Sequence, residues 1–143
     1  MTESPEQRPW TWSEVASWID TEGTMSSGIK KTDGKAYCNF SVAQKERKVL
    51  DSLCDFIREV TGKHCSVYYA KKAKAYYAQW SSKEAVEITL KQIEPYLRTQ
   101  RKKDQCAKVR LMLPLIITEK EQRILAAAKG REAQRKKRLL NTS

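Results

Sequence analysis

The chain has 143 residues, 40% of them apolar, with a formal net charge of +11 and a pI near 9.6. That length suits one domain with a modest core, and the apolar share excludes a disordered chain. No apolar run reaches membrane-span length and no signal peptide precedes the first charged residues, so the expectation is an intracellular, soluble protein of a prokaryotic cytoplasm or nucleoid, or of an organelle.

The charge is unevenly spread. Residues 1–22 hold five acids and one base, a net of −4, and the remainder carries +15. Such an excess points to a polyanion, most simply nucleic acid. No helix pairs a strong apolar face with a lysine-rich one, which argues against a membrane surface. A basic surface that serves only solubility is the competing reading. Cys38, Cys54, Cys65 and Cys106 are scattered without a C-x-x-C pair, and His64 is the one histidine. Buried free thiols are the better reading, and zinc the poorer one.

In chain order, residues 1–9 are polar and read as loose. Thr11-Trp12-Ser13-Glu14 is a capping box, with Trp10 and Val15 as the flanking hydrophobic staple. A helix is expected from about Trp12 to Glu22. Val15, Trp18 and Ile19 share its inward face, and Ala16, Ser17 and Thr21 form a small-residue face that lets a neighbour come close. Gly23 ends it. Asp33-Gly34 then marks a hairpin between two alternating runs. By parity Met25, Ser27 and Ile29 share one face and Thr24, Ser26, Gly28 and Lys30 the other. On the return strand Ala36, Cys38, Phe40 and Val42 face a core, and Lys35, Tyr37, Asn39 and Ser41 face away.

Helical spacing recurs from Lys45 to Thr61 in Val49, Leu50, Leu53, Phe56, Ile57 and Val60, with Gly62 as the stop. His64 to Trp80 reads as a second hairpin, tyrosine-rich, turning near Lys71-Lys72-Ala73-Lys74. Its outward set is Ser66, Tyr68, Lys72, Tyr77 and Gln79, and a slip of one residue reverses it. Ser81 to Glu84 caps a helix with Val86, Leu90 and Ile93 inward, which Pro95 interrupts. A further helix is expected from about Tyr96 to Leu113. Thr118 to Glu121 caps a last one, which ends in Arg135-Lys136-Lys137-Arg138. The expected fold is α+β: αββαββα with a four-stranded antiparallel saddle sheet, helices on one face, plus C-terminal helices. One domain spans 1–143, its core about 11–113 and a basic helical extension about 114–143. A twisted, polar sheet face of this kind fits a DNA major groove.

Val15-Ala16-Ser17-Trp18-Ile19-Asp20-Thr21-Glu22-Gly23 resembles the signature of the LAGLIDADG homing endonucleases. Small residues, an apolar pair, acid, small, acid and glycine stand in register. Phe40 to Arg47 resembles that family's strand-to-helix junction, and Ile93 to Leu97 the segment before its final core helix. The likeness covers about residues 11 to 113. One copy of the motif and no internal repeat imply a homodimer, with Ala16, Ser17 and Thr21 at its seam. They also imply a long, roughly palindromic double-stranded DNA target cut by a metal-dependent, staggered double-strand break, as for an intron-encoded enzyme.

The resemblance gives Glu22 the metal at the scissile phosphates, with Gly23 and Asp20 beside it and Asp20 in the more structural role. The metal is Mg²⁺ or Mn²⁺, with Ca²⁺ binding but not supporting cleavage. From the residues alone, without the flanking likeness, surface ion pairs of Asp20 and Glu22 with nearby lysines are the favoured reading. Gln44 matches a polar position near the attacking water. The usual catalytic lysine falls on Gln100, a departure from the family, for which Arg98, Arg101 or Lys102 could substitute. Lys31, Lys71 and Lys74 are expected to hold phosphates. The alternatives are a non-cleaving nucleic-acid binder or intron RNA maturase on the same scaffold, and an unrelated monomeric RNA-binding α+β protein.

Overall fold

A computed structural model describes residues 10–141. The loose opening expected for residues 1–9 lies outside that range. The elements are α1 (Trp12–Glu22), β1 (Gly23–Ile29), β2 (Ala36–Gln44), α2 (Arg47–Thr61), β3 (Ser66–Ala70), β4 (Ala75–Trp80), α3 (Lys83–Ile93), α4 (Gln100–Met112) and α5 (Glu119–Asn141), with single 3₁₀ turns at Glu94–Tyr96 and Leu113–Leu115. The four strands form one antiparallel sheet in the order β1-β2-β4-β3. This is the α+β fold expected from the chain order.

The helix ends follow from their caps. Thr11 accepts the Glu14 N–H at 3.2 Å, Ser82 that of Ala85 at 3.2 Å, and Thr118 that of Glu121 at 3.2 Å. Each bond satisfies an amide that the first helical turn leaves without a carbonyl. The start of α4 differs from expectation. Pro95 sits in a 3₁₀ turn and Leu97 is extended, so the helix begins only at Gln100, where Thr99 accepts the Lys102 N–H at 3.3 Å. Arg98 and Thr99 therefore lie in a link before the helix.

Strand alternation holds across the sheet. Met25, Cys38, Phe40, Val42, Ala78 and Trp80 face the helices and are buried with Leu50, Leu53, Ile57, Val86, Leu90 and Ile93. Phe40 and Trp80 are register partners whose rings stack at 5.5 Å. The buried indole N–H of Trp80 donates to Thr89 Oγ1 at 3.0 Å, and that hydroxyl donates to the Ala85 carbonyl at 2.7 Å, so neither polar group is stranded. Ile19 reaches the core as expected. Trp18 is only half-buried, edge-on to Trp10, whose own indole N–H donates to Ser52 on α2 at 2.9 Å.

Candidate functional site

The passage from α1 into β1 is unusually tight. A Cβ added to Gly23 would lie 2.6 Å from the Ile19 Cα, so only glycine lets the chain leave the helix here. This places Glu22 at the exposed end of α1, one residue before the sheet. The last turn of α1 contains no basic residue to offset the negative end of the helix dipole.

The two acids of the motif meet different fates. Asp20 accepts the backbone N–H of Arg98 at 3.0 Å and that of Thr99 at 3.5 Å, with the Thr99 hydroxyl at 3.3 Å. Its oxygens fasten the link that leads into α4. Expected beside the metal, Asp20 here spends its oxygens on those amides and that hydroxyl. Glu22 makes no hydrogen bond or ion pair among the described residues. The surface ion pair with a lysine is thus not formed by either acid.

Gly23, the third expected metal neighbour, offers its carbonyl to the ammonium of Lys102. Lys102 is 6% exposed, and burial holds its ammonium below the usual lysine range, helped by the nearby Arg101 guanidinium and opposed by Asp20. It is a buried strut and not a free phosphate-binding cation. Of the other candidates, Arg98 and Arg101 are exposed, and the Gln100 side-chain amide donates to Asp104 on its own helix at 2.9 Å. Gln44 closes β2. Gly23 pairs with Val42, so Gln44 lies about 7 Å further along the strand from the Gly23 level, at the same end of the sheet as Glu22. Its side-chain oxygen accepts the Lys45 N–H at 2.8 Å. Gln105 was not singled out from the sequence, yet its side-chain oxygen accepts the Met25 N–H at 3.3 Å and adds a second tie from α4 to β1. No spacing rule points to such a glutamine.

The small face of α1 needs one correction. Ala16 is 0% exposed, sealed against its own core, and cannot lie on a seam with a second chain. Ser13, Ser17 and Thr21 are the exposed small residues, at helical intervals of four, and with Pro95 to Thr99 they line an open cleft.

The outer face of the sheet is polar and uncharged in its centre. Ser26 lies beside Asn39, and Thr24, Ser41, Gln79 and Ser66 form a row across all four strands. The next row is Ala43, Tyr77 and Tyr68, the two tyrosine rings stacked at 5.6 Å. Tyr37, the register partner of Gly28, lies across it, so that an added Cβ would meet the phenol oxygen at 3.1 Å, and both are half-buried. Lys30, Lys31 and Lys35 occupy the first hairpin's exposed tip, beyond the strands, and Lys71, Lys72 and Lys74 the second's. The register sets these basic tips at opposite ends of the sheet, because the end of β2 pairs with the start of β4. The described side chains of α5 are exposed apart from Gln122, and its Gln122, Leu125, Ala126 and Lys129 line a groove against the first tip.

A helix-capped saddle with an acid at the helix-to-strand junction defines the LAGLIDADG homing-endonuclease fold, and this chain has it. The solved homing endonuclease I-CvuI, crystallised with target DNA, aligns over 82% of this chain and 74% of its own, with a TM-score of 0.58 and 19% identity. I-TnaI aligns over 74% and 73%, with the same TM-score of 0.58 and 19% identity. The meganuclease I-SmaMI, bound to uncleavable DNA, aligns over 90% of this chain but only 46% of its own, at a TM-score of 0.59 and 14% identity. No protein-family model and no curated protein sequence matches the chain. Among the described residues no helix is long and apolar enough to cross a membrane.

Proposed function

We propose that the chain is a site-specific DNA endonuclease of the single-motif type, acting as a homodimer on a roughly palindromic duplex. Glu22 carries this reading. It is an exposed carboxylate at the negative end of a helix, left without a partner, whereas Asp20, Gly23 and Lys102 beside it are bonded to one another's elements. That arrangement is unfavourable until a cation arrives. Among the described residues no three His, Cys, Asp or Glu side chains gather into a metal site. One hard oxygen donor per protomer suits a divalent ion that takes its other ligands from phosphate and water. Mg²⁺ or Mn²⁺ held by Glu22 would supply charge neutralisation at a phosphate and a more acidic bound water.

The chain's own residues do the rest. The exposed Ser13, Ser17 and Thr21 face permits close helix packing, which would bring two Glu22 residues together. Thr24, Ser26, Tyr37, Asn39, Ser41, Ser66, Tyr68, Tyr77 and Gln79 offer the donors and acceptors that read base edges. The lysines of both tips, including Lys31, Lys71, Lys72 and Lys74, fix the register through phosphates. Gln44 orients water near the Glu22 end, and Arg98 or Arg101 reaches a phosphate.

The test is incubation with Mg²⁺ and a library of duplex targets. Specific double-strand cuts that vanish in Glu22→Gln, with binding retained, support the proposal. A second reading, a binder of DNA or intron RNA that does not cut, is favoured by Gln100, which is neutral and turned to Asp104. Tight site-specific binding with no cuts in Mg²⁺ or Mn²⁺ establishes that reading instead.

A further inference from the structure

Two buried sulfurs meet behind the outer half of the sheet. Cys54 on α2 and Cys65, just before β3, are both 0% exposed, and their Sγ atoms lie 2.6 Å apart. Unbonded sulfur atoms do not rest that close, and the sulfurs of a disulfide lie about 2.05 Å apart. We infer that Cys54 and Cys65 form a dithiol–disulfide site that ties α2 to the edge of the recognition sheet.

The surroundings suit this chemistry. Arg58, one turn after Cys54, donates from Nε to the Cys65 carbonyl at 3.0 Å and so holds the second cysteine over the first. The contact with Cys65 and the Arg58 guanidinium pull Cys54 below the usual thiol range, whereas the contact with Cys54 and burial raise Cys65. Cys54 is therefore the attacking sulfur. The other two thiols behave differently. Cys38 is 3.9 Å from the Val109 carbonyl, and burial pushes both Cys38 and Cys106 up.

The bond would form by exchange with a small-molecule disulfide. The Cys54 thiolate attacks one sulfur of that disulfide, forming a mixed disulfide and releasing one thiolate. The Cys65 thiolate then attacks the Cys54 sulfur and displaces the second. The two departing thiolates take up the two protons, the cysteine pair is oxidised, and the reagent is reduced to two thiols. Burial keeps both sulfurs from reagents in the closed fold. Access comes when the exposed link at Gly62, Lys63 and His64 lifts, which carries Cys65 off Cys54 and opens Cys54 to the reagent. β3 is an edge strand bonded only to β4, so the bridge would pin that hairpin to α2 whether or not the chain cuts DNA.

The test treats the full reduced chain with oxidised glutathione for hours, then counts thiols in denaturant, measures intact mass and maps the linked peptides. The expected result is that four free thiols fall to two, with a single Cys54–Cys65 link, a melting temperature several degrees higher and slower amide exchange over β3 and β4. Cys65→Ser should instead trap one glutathione on Cys54. The proposal is overturned if four thiols persist both in the native protein and after refolding from urea in glutathione buffer. A link that involves Cys38 or Cys106, or a mixed disulfide on wild-type Cys54 that never resolves, overturns it equally.

Discussion

The ammonium of Lys102, on α4, rests on the carbonyl oxygen of Gly23 at the end of α1. In return Asp20, on α1, takes the amides that precede α4. The helices exchange opposite charges across one junction. The cation absent from the last turn of α1 comes from α4, and the anion that suits the start of α4 comes from α1. An acid near a helix C-terminus is tolerable here because it serves another helix's N-terminus.

This exchange makes the junction sensitive to single changes. Lys102→Met keeps the aliphatic stem but leaves the Gly23 carbonyl without its donor, and should lower stability by about 1–3 kcal/mol. Lys102→Arg should not fully restore it, because a bulkier planar guanidinium must be buried where a compact ammonium now lies. Asp20→Ala strands the Arg98 and Thr99 amides and should lower stability by about 1–2 kcal/mol. Urea midpoints measure all three. A stability change below a few tenths of a kcal/mol for both Lys102→Met and Asp20→Ala would refute the strut role.

Gln100→Lys places a cation on the first turn of α4, where Gln100 now bonds Asp104. If the phosphates come to this helix end, cleavage should quicken about tenfold or more, equivalent to about 1.4 kcal/mol of barrier. Single-turnover rates on a selected target are the measurement. An unchanged rate means either that the phosphates do not come to this helix end or that Arg98 or Arg101 already fills the role.

The sheet face and its tips should separate in their response to sequence and salt. Asn39→Ala should relax preference at one position by about 1–3 kcal/mol and leave the others intact. Lys72→Ala should weaken all targets alike and make the salt slope shallower by roughly 0.9 per protomer. Binding titrations over a panel of single-base variants at several salt concentrations resolve the two.

The helix α5 offers a further test. Its Arg135-Lys136-Lys137-Arg138 run is exposed and lies far along the helix from the groove at the first hairpin tip. Changing the four to Gln should move the melting temperature little, because the Lys136–Glu132 pair it breaks is exposed. If the run grips flanking DNA, the slope of log affinity against log salt should become shallower by roughly 0.9 for each phosphate lost. An unchanged slope identifies the run as solvated.

Much of this fold was legible because short-range rules dominate it. Thr11, Ser82 and Thr118 announce their helices by capping chemistry, Asp33-Gly34 announces the first hairpin, and alternation assigns both faces of β2 and β4. What failed to show were facts of tertiary contact. Ala16 and Ser17 are both small, and only the packing of α1 on α3 and the sheet buries one and exposes the other. Gly28 and Tyr37 read as two separate ligand contacts until the register stacks one on the other. Lys102 carries the same charge as its exposed neighbours Arg101 and Lys103, and the late start of α4 decides that it alone turns inward. Carboxylate spacing could not divide Asp20 from Glu22. The partner of Asp20 is 78 residues away, at Arg98, and Glu22 has none among the described residues.

At the junction Glu22 alone supports nothing. Its neighbours brace helices, close turns or fill the core, whereas its carboxylate could be exchanged for an amide without loosening any of them. If the chain cuts DNA as proposed, a single change at Glu22 would silence it and leave both the fold and the binding face unchanged.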